Sequence, residues 1–400
     1  MVLRGRTPAA TARHISPERA DDARGARSPS ALATFIAGAS RELLASTWWF
    51  DPAPEQAAGP VVVRVWGHRQ GAGAKARSGD QFIHDERIDH VLPDAGRVSV
   101  TARIRDINPG QWLVSAKILG SDQRDHGDHG RRDRSGAARP ALLLHAGSWS
   151  WRSWSLRESE PHPVTTCVAP LARSPAIIPG VWVGTVALGL IVALLVQQAV
   201  LGRLDLQYPQ ALMISVIAIA AGIVGAKIRF MAVHRSEGRF EGWSIQGFLA
   251  AIAIAAPIML AIASVPIGVL LDASAPGLFL GLAIGRIGCF FAGCCAGRPT
   301  SAAWGVWSSD QRVGMRRVPT QLLESALALG IALVSLVAVL GYRPLSGGIF
   351  LAALALYTLA RQGILRIRAE RPDSVRGGTL IALASAVVLI ADVILLALQS

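Results

Sequence analysis

From about residue 175 to the C-terminus, apolar stretches of roughly 20 residues follow one another with only short polar breaks. The hydrocarbon core of a bilayer is about 30 Å thick and admits backbone whose polar groups bond internally, so stretches of this length read as spanning helices. The expected spans are 178–200, 211–233, 245–271, 277–292, 321–340, 349–365 and 379–398. The fold class that follows is an all-α polytopic membrane protein with about seven transmembrane helices. The third stretch is long and carries Pro257 and Pro266, which predicts a kinked or tilted helix.

The first part of the chain has a different character. Residues 1–30 are rich in Arg, Ala, Ser and Pro and are expected to be disordered; they contain no apolar core of a secretory signal. Residues 31–48 read as a short amphipathic helix. Segments 61–66, 81–88, 97–107 and 112–119 read as strands, with alternation clearest from Val98 to Ile104 and turns at Pro93–Gly96 and Asn108–Gly110. The run from Ile107 to Ala116 resembles the turn and aromatic entry to a late strand of an immunoglobulin or fibronectin type III sandwich, with Trp112 where Tyr is usual; an unrelated small β-meander is the other reading. The expected domains are a disordered 1–30, a small all-β soluble domain at 31–120, a charged linker and pre-membrane segment at 121–176, and the helical membrane domain at 177–400.

Forty basic residues against 27 acidic ones give a net charge of +13. In a soluble protein that excess would suggest nucleic acid. Beside membrane spans it fits loops that meet anionic headgroups, so the lipid bilayer is the expected partner and nucleic acid is not. His126 and His129 lie in a charged stretch whose composition explains them without a metal. Of the cysteines, Cys167 is alone and Cys289, Cys294 and Cys295 cluster, with no His or further Cys nearby to complete a four-ligand metal site. A disulfide from Cys289 to Cys294 or Cys295, or small packing residues at a helix end, are the two structural readings of the cluster. No metal and no cofactor are expected.

An ionised side chain inside hydrocarbon costs several kcal/mol, so intramembrane charges mark candidate sites. Arg286, Glu324 and Arg361 stand out in the expected spans. A structural ion pair is the bland alternative for Arg286 and Glu324, and snorkelling to the interface for Arg361. Arg286 sits among glycines, Gly285–Arg286–Ile287–Gly288, followed by Gly293 and Gly297. Glycines let backbone approach closely and present amide N–H groups, and a guanidinium forks onto phosphate oxygens, so this stretch suits an anionic headgroup.

The stretch resembles the signature of the prolipoprotein diacylglyceryl transferase family, Gly-Arg-hydrophobic-Gly-Asn-Phe followed by Asn-Gly-Glu and a further Gly. Gly285, Arg286, Gly288, Phe290, Gly293 and Gly297 match it. Arg317–Val318–Pro319–Thr320–Gln321–Leu322–Leu323–Glu324 resembles the family's Arg-His-Pro-Ser/Thr-Gln-Leu-Tyr-Glu, and Gly242–Trp243–Ser244–Ile245–Gln246–Gly247 resembles Gly-Met-Ser-Phe-His-Gly. Cys289 and Cys294 replace an Asn and a Glu of the signature, Ala292 its second Asn, Gln246 a His, Val318 a His and Leu323 a Tyr.

The resemblance covers roughly residues 177–398 and implies transfer of a diacylglyceryl group from phosphatidylglycerol to the lipobox cysteine thiol of a prolipoprotein, with glycerol phosphate leaving. On that reading Arg286, Gly285, Gly288, Gly297, Gln246 and Gln321 bind substrate. Glu324 serves or orients a base, and Arg361 stabilises the leaving phosphate. Cys289, Cys294 and Cys295 occupy motif positions without an assigned role. Two other readings stand beside it: a lipid- or peptide-binding protein with the site partly dismantled, and a membrane thiol-redox protein using the three cysteines. The resemblance implies that the signature end faces outward. The charge bias points the other way, because the even-numbered loops carry Lys227, Arg229, Arg298, Arg312, Arg316, Arg317 and Arg366 among others, against Arg203 and Arg343 in the odd ones.

Overall fold

The structure is a computed structural model; it describes residues 42–52, 58–71, 79–119, 145–150, 153–158, 161–168, 172–206, 208–233, 243–341, 346–370 and 375–399. The described chain divides into a β unit, formed by the residues up to 179 together with 291–319, and a helical unit of 180–290 and 320–399.

The β unit contains β1 (Glu42–Phe50), β2 (Gly59–Arg69), β3 (Gln81–Val91), β4 (Val98–Ile104), β5 (Gln111–Leu119), β6 (His145–Ser150), β7 (Ser153–Glu158), β8 (His162–Thr165), β9 (Cys167–Val168), β10 (Val306–Ser309) and β11 (Val313–Arg317). One sheet runs β10-β11-β4-β1-β6-β7, with β9 also paired to β1, and the other runs β3-β2-β5-β8. Neighbours pair antiparallel throughout. The period-2 pattern of the sequence turns Val61, Val63 and Val65 of β2, and Trp112, Val114 and Ala116 of β5, inward. They meet Leu44, Trp48 and Phe50 of β1 and Val98, Val100, Ala102 and Ile104 of β4 in one core. Full burial of a Val, Leu or Phe contributes about 1.5–3 kcal/mol, so this core carries the sandwich. Trp112 meets the demand of its indole N–H by donating to the Asn108 carbonyl in the preceding turn, 3.1 Å away.

The helix expected at 31–48 is not formed where it is described. Glu42–Phe50 is a strand, aligned with β4 from Leu44↔Ile104 to Phe50↔Val98. The run Trp48–Trp49–Phe50 favours a pleated surface, and pairing with β4 overrides the helical spacing. Residues 31–41, the expected disordered 1–30 and the charged stretch 121–139 lie outside the described residues. The β structure also does not stop at 120, since β6 to β9 extend it to Val168.

The helical unit holds α1 (Val181–Arg203), α2 (Gln210–Val233), α3 (Ile245–Ile262), α4 (Ile267–Ala292), α5 (Thr320–Gly341), α6 (Gly348–Leu365) and α7 (Val375–Gln399). Among the described residues these are seven helices long and apolar enough to cross a membrane. The expected third span, 245–271, is cut short. Ala263 caps α3, Ser264 turns with φ 55°, and Pro266 stands immediately before α4, where its missing N–H costs nothing. Residues 267–276, split by the sequence reading between a span and a loop, are therefore helical and bring Asp272 into α4.

Asp272 is buried and accepts from the backbone N–H groups of Gly347 (2.8 Å) and Phe350 (2.9 Å), so it satisfies orphan donors at the start of α6. Small residues set the helix spacing: Gly189 of α1 lies against the backbone of Gly281 in α4, and Gly225 of α2 against that of Gly247 in α3. Gln197 of α1 donates to Ser274 of α4 (2.7 Å) and Ser215 of α2 (3.0 Å), a polar tie among three helices.

Candidate active site around Arg286 and Glu324

Arg286 lies near the C-terminal end of α4 and Glu324 in the first turns of α5. Arg286 Nε is 2.8 Å from Glu324 Oε2, with side-chain exposures of 11% and 2%. The contact has the distance of an ion pair but not the alignment of a hydrogen bond. The neighbouring residues hold the two helices together at this level. Ser325 Oγ donates to the Ala283 carbonyl at 2.9 Å, one residue beyond Glu324 and one turn before Arg286. Gln321, buried, lies three residues before Glu324 and so shares its helix face. A β-carbon added at Gly285 would meet nothing within 4 Å, so that flank of Arg286 has space. Gly288 is different: Thr185 of α1 packs onto it, and its lack of a side chain serves helix approach.

Other expected site residues lie elsewhere. Gln246 is exposed at the start of α3, where its amide oxygen accepts from Arg229 Nε (3.2 Å) and Nη2 (2.5 Å) of α2. Gly297 belongs to the β unit, and its carbonyl accepts from Arg317 Nη1 at 3.4 Å. Arg317 is buried and ion-paired with Asp310 at 2.7 Å; burial pushes its pKa down and the carboxylate opposes that shift. Arg361 is half-buried in the last turns of α6. Cys289 is buried on α4; Cys294 and Cys295 are half-buried, Cys295 in a left-handed turn with φ 60°. None of these cysteines forms a disulfide.

Three groups escaped the sequence reading. Asp272 was hidden by the misplaced span boundary. Asp392 of α7 is, beside Asp272 and Glu324, a third buried carboxylate in the helices, and its Oδ2 has no hydrogen-bond partner among the described residues. Tyr357 of α6 is 6% exposed, and its hydroxyl has no hydrogen-bond partner among the described residues. Its ring lies 5.7 Å from that of Phe279, which is two turns before Arg286 on the same face of α4. The available signal was its place four residues before Arg361, one helical turn away on one face.

Residues 181–398 match the model of the family described as prolipoprotein diacylglyceryl transferase, across all seven helices and both halves of the ion pair. The chain belongs to this family. Among similar family members, the phosphatidylglycerol–prolipoprotein diacylglyceryl transferase of Dehalococcoides mccartyi is 31% identical over 176 residues, covering 41% of this chain and 67% of that protein. The transferase of that name from Frankia alni is 28% identical over 229 residues, 53% of this chain and 60% of its own. The one from a Nostoc species is 34% identical over 165 residues, 38% of this chain and 55% of its own. The likeness makes this chain a member of a transferase family and a multi-pass protein of the cell membrane, in keeping with its seven spans. The family match begins at residue 181, after β1 to β9, but it includes the β10–β11 hairpin.

Proposed function

We propose that this protein transfers a diacylglyceryl group from phosphatidylglycerol to the lipobox cysteine thiol of a prolipoprotein. The observation that carries the reading is the family match over residues 181–398, within which Arg286 and Glu324 form a cation–carboxylate pair buried between two helices. The substrate lipid is an anion, and Arg286 supplies the fixed charge that would hold its phosphate. The acceptor sulfur attacks the glyceryl carbon, the carbon–oxygen bond to phosphate breaks, and glycerol phosphate leaves. The thiol proton must go to a base or to the departing phosphate. Glu324 would orient the guanidinium and take part in that transfer, and Arg361 is the candidate for stabilising charge on the leaving group. Gly285 leaves room beside Arg286, and Gln321 offers an amide from the face that carries Glu324.

The test is the purified full chain in phosphatidylglycerol micelles with a lipobox peptide. Release of glycerol phosphate together with a diacylglyceryl mass gain on the peptide cysteine is expected. A folded protein that binds lipid or peptide but releases nothing would replace this reading with the lipid- or peptide-binding one.

A further inference from the structure

The connection between α4 and α5 is not a free loop. It leaves the helical unit after Phe290, returns to it at Thr320, and in between belongs to the β unit. Its base is closed by antiparallel pairing: Thr300 N–H donates to the Arg316 carbonyl and Val318 N–H to the Arg298 carbonyl, each at 3.0 Å, with Pro299 opposite Arg317. Beyond that base, β11 joins the edge of β4, with Val313 opposite Val100 and Gly314 opposite Ser99. Val313 and Met315 enter the sandwich core. Trp307 of β10 stacks on Trp49 of β1 at 5.6 Å, and its indole N–H donates to the Arg97 carbonyl at 2.9 Å. Arg312, in the hairpin turn, crosses to the second sheet and grips Glu86 of β3 through Nε (3.2 Å) and Nη2. The hairpin thus forms part of a sheet whose remaining strands precede the family-matched region.

We infer that the β unit is a positioning module for the Arg286–Glu324 site, acting through this hairpin, with Arg312 and Glu86 as its tie. Arg286 precedes the connection by a few residues on α4, and Glu324 follows it on α5. Whatever fixes the two ends of the connection restricts how the ends of those helices can part or rotate. A 2.8 Å ion pair is sensitive to such a shift, because its strength falls with separation and is not replaced by water at a buried site. The paired base and the anchored tip remove the freedom that an ordinary surface loop would have. The Arg312–Glu86 contact is a polar tie from the hairpin to the second sheet, so it tests the coupling without dismantling the core.

The inference concerns the site of the proposed transferase but has a readout that needs no turnover. Glu86→Gln keeps the shape of the side chain while removing its charge. In the purified full chain it should lower kcat about three- to tenfold with KM for lipid and peptide unchanged. It should also raise amide hydrogen exchange at 286–290 and 320–324. Arg312→Glu should have a larger effect, and Glu86→Arg combined with Arg312→Glu should restore both readouts to near the parent level, as a paired interaction requires. If Arg312→Glu does not fold, Glu86→Gln decides alone. Unchanged exchange at those helix ends in a folded Glu86→Gln protein overturns the inference whatever the turnover. Increased exchange in a protein that releases no glycerol phosphate leaves the inference standing and removes the transferase reading instead.

Discussion

Arg286 on α4 and Glu324 on α5 face each other with Nε and Oε2 2.8 Å apart, almost wholly removed from solvent. Such a pair has two separable roles. Removing one partner strands the other charge, which costs about 3–5 kcal/mol, whereas replacing both with apolar residues of similar size is often neutral. Arg286→Met combined with Glu324→Leu should therefore keep the thermal midpoint near that of the parent while abolishing glycerol phosphate release. Appreciable release by the folded double variant would show that the pair is only structural.

Arg286→Lys keeps the charge and loses the planar fork. If the fork acts in the transition state, its loss should cost about 2–4 kcal/mol, or roughly 30- to 1000-fold in rate. Cys289→Ser and Cys294→Ser should cost far less, because no step of the proposed transfer uses these thiols. Diacylglyceryl transfer by the purified variants, with folding checked separately, measures both. A dead Cys294→Ser beside a near-normal Arg286→Lys would favour the thiol-redox reading.

The hydroxyl of Tyr357 is buried without a hydrogen bond among the described residues, and this costs free energy unless a ligand completes it. Tyr357→Phe should leave thermal stability unchanged or slightly higher and should lower turnover at least tenfold. Unchanged turnover in the Phe variant would show that the hydroxyl has no part in the reaction.

Acid should loosen the β unit through Glu86. Burial alone would push its carboxyl up, but the neighbouring His84, 3.5 Å away, and the hydrogen bonds and charge of Arg312 outweigh it and hold the carboxyl below its usual 4.5. A carboxyl depressed in the folded state contributes stability that is complete above its unfolded value and is lost as pH falls through the lower folded one. Denaturant melts followed by tryptophan fluorescence should show a fall below about pH 4.5 that is shallower in Glu86→Gln. Equal slopes would show that Glu86 is not the group responsible.

The seven spans among the described residues predict that the segments before the first and after the last lie on opposite faces. Reporter fusions at residues 1 and 400 should read opposite sides, and the same side for both would remove the seven-span topology. Impermeant thiol reagents should reach Cys294 or Cys295 in intact cells if the signature end faces outward, as the family resemblance implies. Labelling only in opened cells would support the orientation that the arginine distribution suggests.

The seven spans, the family signature and the candidates Arg286 and Glu324 were legible in the sequence. Bilayer thickness and the cost of buried charge act on local composition, so runs of apolar residues and the ions within them are visible one segment at a time. Strands β2 to β5 were legible for the same reason, since alternation is local. Position 42–50 was not, because Leu44, Trp48 and Phe50 become a strand only when β4 supplies its partner. Asp272 stayed hidden because Pro266, read as a kink, instead starts a new helix. Tertiary structure alone decided that Arg286 pairs with Glu324, that Gln246 is held by Arg229, and that a hairpin inside the family-matched region completes a sheet begun more than 200 residues earlier. These are contacts between different secondary-structure elements, and the local pattern of each element does not say which side chains of another it will meet.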